Sequence, residues 1–326
     1  MDKIKLLHGD CLIESDNIES GSVDLILTDL PYGTVANIGD SDTIEHGMKG
    51  KTEWDEAIEP KKIYDIANRI LRKNGKMILF SQEPYTGRLT NEAIPNVPFN
   101  YRMIWAKDHF ANSLIAKKAP VSYFEDILVF YKKGCNEGRC TLTRWFDELI
   151  SKYGKERLVD LFFAEGRYKD KASAKKNFRK KQSDKDNTKE QDNFLDYEMF
   201  THLSKSIDLE ITWDEYNAIV IEYKNKYASI FNLWEGNKYK SNILKYKKDY
   251  TGLHPTQKPI LLLEDLVKTF SNEGDLVVDL TMGSGSTGVA CLNTSRNFIG
   301  IELDDKYFDI ARERIESHEV QIGWIK

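Results

Sequence analysis

The sequence predicts an α/β protein: a doubly wound, mostly parallel sheet whose chain leaves for a mainly helical insert and then returns. Three observations carry this. Short apolar runs at Val23–Leu27, Met77–Phe80, Leu276–Val278 and Phe298–Ile301 read as buried strands, most of them stopping at an acid. Stretches with helical spacing separate these runs. From Lys132-Lys133-Gly134 to about Tyr250 the aliphatic runs vanish and helical spacing takes over. The expected division is 1–133, 134–250 and 251–326, with the outer two as halves of one domain.

Ile4–His8 alternates weakly and reads as a short strand ending at Gly9-Asp10, where Asp10 also suits a helix N-cap. Cys11 reads as a small buried residue. Val23–Leu27 runs into Thr28-Asp29-Leu30-Pro31-Tyr32-Gly33. Pro31 fixes its own φ and pushes Leu30 out of the helical region, so this turn is stiff. It lies beyond the carboxyl end of a strand, where α/β sheets place their sites. A carboxylate, backbone carbonyls beside a rigid ring and one aromatic face could hold an exocyclic amino group and stack on its ring. An ordinary strand-to-loop turn would carry the same residues.

Residues 34–56 read as a polar loop ending at Trp54-Asp55, with Trp54 either a core anchor or a substrate contact. Pro60–Leu71 carries Ile63, Ile66, Ala67 and Ile70 in a helical stripe closed by Lys73-Asn74-Gly75. Met77–Phe80 is the next strand, and Phe80–Tyr85 a second strand end on the same sheet edge. Tyr101–Trp105 and Asp126–Tyr131 read as an antiparallel pair, with Lys107, Asn112 and Ser113 facing the cleft.

In the insert, Trp145, Leu149, Leu158, Leu161 and Phe162 suggest two short helices broken at Gly154. Between Gly166 and Lys185 nine basic residues face two acidic ones, a local +7 in a chain of net charge −5. Tyr168 and Phe178 interleave with these charges, so the run reads as a polyanion contact, against the alternative of a solvated helix. Gln182–Asn193 reads as a linker, and Leu195–Lys226 as helices with Trp213, Ile219, Val220 and Tyr223 in a packed stripe.

Ile260–Phe270 is an amphipathic helix. Leu276–Ala290 is a strand, a glycine-rich turn and the start of a helix. The glycines permit close approach of a ligand, and the helix N-terminus is positively polarised. Phe298–Glu302 ends in an acid placed for a ribose hydroxyl. Alone, this nucleotide-type site suits NAD as well. Asp304–Ser317 is a final helix.

Together, Asp29-Leu30-Pro31-Tyr32 and Gly283-Ser284-Gly285-Ser286-Thr287-Gly288 resemble the S-adenosylmethionine-dependent DNA amino-methyltransferases that modify adenine N6 or cytosine N4. The catalytic motif precedes the glycine-rich motif, as in the family's permuted beta group. His8–Leu12, Lys51–Asp55 and His254-Pro255-Thr256-Gln257-Lys258-Pro259 are similar to further family segments. The resemblance covers 4–133 and 250–317 and leaves the middle uncovered. One departure is Leu30, where the family usually has proline.

The resemblance implies a seven-stranded, Rossmann-like methyltransferase sheet. It makes Asp29, Leu30, Pro31 and Tyr32 the catalytic turn. It places S-adenosyl-L-methionine against Asp10, Cys11, Asp29, Thr256, Lys258, Asp279, Thr281, Gly283, Ser284, Gly285, Ser286, Thr287, Glu302 and Leu303. The acid Asp10 then meets the adenine of the cofactor. Double-stranded DNA is the implied partner, met by Lys107, Lys175, Lys176, Arg179 and Lys180, and the target base must leave the duplex. The family also allows for a homodimer and a companion restriction enzyme. Cytosine-N4 enzymes often carry serine where Asp29 stands, which favours adenine N6. The alternatives are a cytosine-N4 enzyme, a methyltransferase of this fold acting on RNA or protein, and an NAD-dependent oxidoreductase.

Composition sets the remaining bounds. With 326 residues and 40% hydrophobic content the chain can hold a large α/β domain and a smaller one. Cytosine-C5 methylation needs a thiolate, usually shown in a Pro-Cys pair, and no such pair occurs. Cys135 and Cys140 have no second Cys or His pair nearby, which argues against zinc, so no metal is expected. Scattered cysteines, no apolar leader and no run of ~20 apolar residues suggest a cytoplasmic protein.

Overall fold

The computed structural model describes residues 3–32, 57–111, 117, 120–133, 141–182, 194–227, 229–249 and 257–325. The expected loop over 34–56, the cleft residues Asn112 and Ser113, the linker over 183–193 and the segment His254-Pro255-Thr256 lie outside the described residues. The chain divides into two compact units, Met1–Lys132 with Ile230–Lys326, and Lys133–Ser229.

The first unit opens with β1 (Ile4–His8), α1 (Cys11–Glu14), β2 (Val23–Thr28), α2 (Pro60–Ile70), β3 (Leu71–Ser81), α3 (Tyr85–Asn91), β4 (Phe99–Ala111) and β5 (Ser122–Tyr131). The second unit holds α4 (Thr141–Tyr153), α5 (Lys155–Ala164), α6 (Lys171–Gln182), α7 (Tyr197–Ser204) and α8 (Trp213–Tyr227). The first then resumes with β6 (Ile243–Lys245), α9 (Ile260–Phe270), β7 (Leu276–Asp279), α10 (Ser286–Asn293), β8 (Asn297–Glu302) and α11 (Asp305–Ile325).

Its eight strands lie in the order β1-β8-β7-β2-β3-β5-β4-β6. β1, β8, β7, β2 and β3 pair in parallel, β5 is antiparallel to β3 and β4, and β6 is parallel to β4. β2 is central and buried on both faces. Leu25 and Leu27 join a core with α9, α10 and α11, and Val23 and Ile26 join another with α2. Two cores on opposite faces of one sheet make the fold doubly wound. β2 and β7 are neighbours although they come from opposite ends of the chain, so their carboxyl ends meet at a topological switch point.

Three expectations are corrected. The sheet has eight strands, not seven, because β6 pairs Ile243, Leu244 and Lys245 with Ile104, Trp105 and Ala106. β6 is short and only Leu244 is buried, so it leaves little apolar signal. The chain rejoins the sheet unit at Ile230, not near 250. Asn232 bonds the carbonyls of Lys268 and Ser271 at 3.1 Å, and the Trp234 indole donates to Asp265 at 2.9 Å. Lys73-Asn74-Gly75 is not a helix-closing turn but an irregularity within β3, where Asn74 has φ 63° and the β2 register shifts. A Cβ on Gly75 would meet three backbone carbonyls at 3.0–3.1 Å, so only glycine fits this close approach.

In the second unit, α4 and α5 break at Gly154, whose φ of 79° favours glycine. Phe146, Leu149, Leu158, Phe162 and Tyr216 form its core. Ala174 and Phe178 of α6, one helical turn apart, face that core, and the Phe178 ring lies 5.1 Å from that of Phe162. Lys175 sits 2.8 Å from Glu156, and Arg167 pairs with Glu165 and Asp196.

Candidate active site

Beyond the carboxyl ends of β1, β2, β7 and β8 lies a cavity of about 1090 Å³. Asp10 follows β1, Asp29 follows β2, Asp279 ends β7 and Glu302 ends β8. All four line the cavity with Tyr32, Lys107, Glu125, Lys258, Thr281, Gly283, Ser284, Ser286, Thr287 and Leu303.

Asp10 caps α1, accepting from Leu12 N at 2.9 Å. Cys11 is buried, and burial followed by the charge of Asp10 pushes its thiol up to about 12. It is neutral at physiological pH and is no nucleophile. The glycine-rich turn is held from three sides. Asp279 accepts from Thr287 Oγ1 at 2.6 Å and Thr281 N at 3.1 Å. Glu302 accepts from Gly283 N at 2.8 Å and Asp304 N at 2.9 Å. Arg314 donates to Ser284 O at 3.0 Å and Ser286 Oγ at 3.1 Å. Burial pushes Asp279 up to about 6 and raises Glu302 above the usual carboxylate value. Each Glu302 oxygen keeps a lone pair beyond its backbone bond, so it can still accept from a hydroxyl.

Gly285 has φ 78°, and a Cβ there would meet Ala311 and Ile315 of α11 at 3.0–3.2 Å. A Cβ on Gly288 would meet Ile315 Cδ1 at 2.5 Å. These two glycines therefore also serve helix packing.

On the other wall, the Tyr32 hydroxyl donates to Asp29 Oδ1 and Lys258 Nζ donates to Asp29 Oδ2. Lys258 also lies 3.2 Å from Glu125 Oε2, and Lys107 lies 2.5 Å from Glu125 Oε1. Burial raises Asp29 above the usual carboxylate value, against the pull of Lys258. Burial disfavours charged Lys258, but Asp29 and Glu125 outweigh it and raise its pKa. For Glu125, Lys258 and Lys107 outweigh burial and lower it.

The structure thus brings the expected site residues of the described part of the first unit to one cavity, apart from Gly285, which packs against α11; Lys175, Lys176, Arg179 and Lys180 belong to the second unit, and Thr256 lies outside the described residues. Lys107 is a wall residue with its side chain 7% exposed. Leu303 is exposed at the rim. Sequence reasoning missed Glu125 and Arg314. The signal for Glu125 was an acidic pair, Glu125-Asp126, leading into the apolar strand Ile127–Tyr131. Arg314 gave no signal among the charges of α11.

A family model described as DNA methylase, for N6 and N4 enzymes, matches residues 23–313. The chain belongs to this family. DNA adenine methyltransferase YhdJ of Escherichia coli is 24% identical to the methylase over 317 residues, covering 95% of this chain and 82% of YhdJ. Type II methyltransferase M2.DpnII of Streptococcus pneumoniae is 36% identical over 102 residues, covering 31% of this chain and only 36% of M2.DpnII. The crystal structure of the M1.HpyAVI–SAM complex shares the fold, with a TM-score of 0.50 at 19% identity over 95% of this chain and 99% of that one. Among the described residues of the methylase, no group of His, Cys, Asp or Glu is arranged to hold a metal ion, and no helix is long and apolar enough to cross a membrane.

Proposed function

We propose that this methylase transfers the methyl group of S-adenosyl-L-methionine to N6 of adenine in duplex DNA, after the base leaves the stack. The observation that carries the reading is the sign of the cavity. Eight carboxylates, among them Asp10, Asp29, Glu125, Asp279 and Glu302, outnumber the four lysines Lys62, Lys107, Lys248 and Lys258 along its lining. Such a lining disfavours the pyrophosphate of NAD and suits a donor bearing sulfonium and ammonium cations. Asp279, Glu302, Asp10 and the Gly283–Thr287 turn would hold that donor, which supplies an electrophilic methyl group.

The methylase's own residues then act on the amine. An exocyclic amine has its lone pair delocalised into the ring and is a poor nucleophile. The Asp29 carboxylate and the backbone carbonyl on the Pro31 side accept its hydrogens and favour the attacking geometry. Positioning and electrostatics supply most of the acceleration. Tyr32 offers a face to the flipped base, its edge fixed by its bond to Asp29. Adenine is favoured by Asp29 opening the motif and by the relative YhdJ being an adenine methyltransferase. The second unit, Lys133–Ser229, is the DNA-recognition unit on this reading.

The test is a product analysis. Duplex DNA is incubated with the methylase and methyl-labelled S-adenosylmethionine, then digested to nucleosides. Label in N6-methyldeoxyadenosine is the expected result. Label in N4-methyldeoxycytidine would overturn the choice of base, and label on RNA alone would overturn the choice of polymer.

A further inference from the structure

Four charges run in a row of alternating sign along one cavity wall: Lys107, Glu125 and Lys258, whose side chains are buried, and Asp29, whose side chain is half-buried. Lys258 stands just ahead of α9, yet its ammonium reaches Asp29, 229 positions away in sequence. Its side chain is 6% exposed and its Nζ lies 5.1 Å from the centre of the Phe80 ring. Lys107 is packed in the same way against the Trp105 ring, at 5.1 Å. Neither lysine is a surface cation.

We propose that Lys258 and Glu125 are positioning residues for the amine-accepting carboxylate, with Lys258 holding Asp29 charged and fixed and Glu125 dividing the lysine's charge with it. The proposal rests on the reading of Asp29 given above. It assigns Lys258 to the target base's side of the cavity, not to the cofactor.

A carboxylate held largely out of water without a cation is pushed toward its neutral form. A neutral Asp29 carries its own proton and loses acceptor capacity toward the amine. Turning Lys258 toward a cofactor carboxylate would strip its cation from Asp29 and Glu125 together, which is costly in a buried site. Lys107 cannot replace it, because it is engaged on Glu125 Oε1. The hydroxyl of Tyr32 on Oδ1 and Lys258 on Oδ2 together leave the carboxylate one orientation.

Among the described residues, Asp279 interacts electrostatically with Asp29, and Lys248 with Lys107, Lys258 and Glu125. The Asp29 carboxylate accepts its side-chain hydrogen bonds from Tyr32 and Lys258. Lys258 is therefore the cation that sets its charge, and Glu125 the anion that competes for that cation.

The two residues make opposite predictions, which a merely structural role would not. The profile of kcat against pH has an acid limb where Asp29 takes up a proton. Lys258→Met removes the cation, so this limb moves to higher pH by about one unit or more. Turnover at neutral pH falls about a hundredfold, while the Kd for S-adenosylmethionine by calorimetry changes less than about threefold. Glu125→Gln removes the competing anion, and the limb moves to lower pH. Lys258→Arg keeps the cation and holds the limb in place, and it keeps the test open if Lys258→Met fails to fold. A Kd weakened about tenfold or more with the acid limb unmoved overturns the proposal and makes Lys258 a cofactor ligand. Limbs unmoved in Lys258→Met and Glu125→Gln, with Asp29→Asn inactive, overturn the positioning roles alone. Full turnover in Asp29→Asn overturns the reading on which they rest.

Discussion

Thr281 donates its hydroxyl hydrogen to the backbone carbonyl of Asp29 at 3.0 Å, joining two turns 252 positions apart in sequence. The Thr28 and Thr281 hydroxyls lie 2.9 Å apart, so the carboxyl ends of β2 and β7 are tied by side chains as well as by the sheet. The glycine-rich turn and the turn bearing Asp29 therefore keep one spacing. A methyl transfer between groups held on these two turns depends on that spacing.

Thr281→Val keeps the shape and removes the tie. It leaves the Asp29 carbonyl without this donor in a part-buried site, at a cost of about 1–3 kcal/mol. Chemical denaturation should show that loss, and kcat should fall by up to about a hundredfold through misplacement. A variant with unchanged unfolding and turnover would show that the sheet alone sets the spacing.

Asp279 gives a pH signature. Its folded value is about 6, above the ordinary 3.8, because burial disfavours the charge. A raised value means stability that is fully present below the unfolded pKa and lost as pH rises through the folded one. The shift of about two units corresponds to ~3 kcal/mol in the apo protein. Asp279→Asn lacks this dependence. The wild-type minus variant difference in unfolding free energy should thus shrink by up to ~3 kcal/mol between about pH 4 and pH 7. A difference that stays flat would mean that Asp279 titrates like an exposed carboxylate.

The central strands were legible because a parallel strand buried on both faces reads as an unbroken apolar run. β1 and α9 match their expected bounds, Ile4–His8 and Ile260–Phe270. Pro259 and Ser271 flank α9 and mark its ends. The break between α4 and α5 was legible through Gly154. What depends on contacts across the fold was not. Glu125 and Lys258 form one site only because β5 and the start of α9 meet, and no spacing rule links them. β6 takes its partner from β4 and has too few residues to show a period. α11 runs to Ile325, past the expected Ser317.

The packing role of the glycines is testable. Gly288→Ala places a Cβ 2.5 Å from Ile315 Cδ1 and 2.9 Å from the Phe298 ring, so these side chains or the elements that bear them must shift. Overpacking of this kind costs about 1–3 kcal/mol. The denaturation midpoint should fall, and Ile315→Val should recover part of the loss in the double variant. An unchanged midpoint would return Gly288 to the ligand side alone.

The last prediction concerns the basic run on α6. A protein of net charge −5 approaching a polyanion needs a local surface of opposite sign, and the stretch Gly166–Lys185 carries +7. The structure turns Ala174 and Phe178 into the core of the second unit and sets Lys175 beside Glu156 at 2.8 Å. That pair is exposed, and such pairs are weak, so a phosphate can compete for Lys175. Each phosphate neutralised steepens the dependence of log K on log salt by about 0.9. Replacing Lys175, Lys176, Arg179 and Lys180 together should flatten that slope by up to ~3 and weaken binding to all duplexes alike. Sequence preference should survive in the binding that remains, because phosphate contacts position without reading bases. An unchanged slope would make α6 a solvated helix whose one role is to bury Ala174 and Phe178. Loss of sequence preference would instead mean that these side chains read base edges.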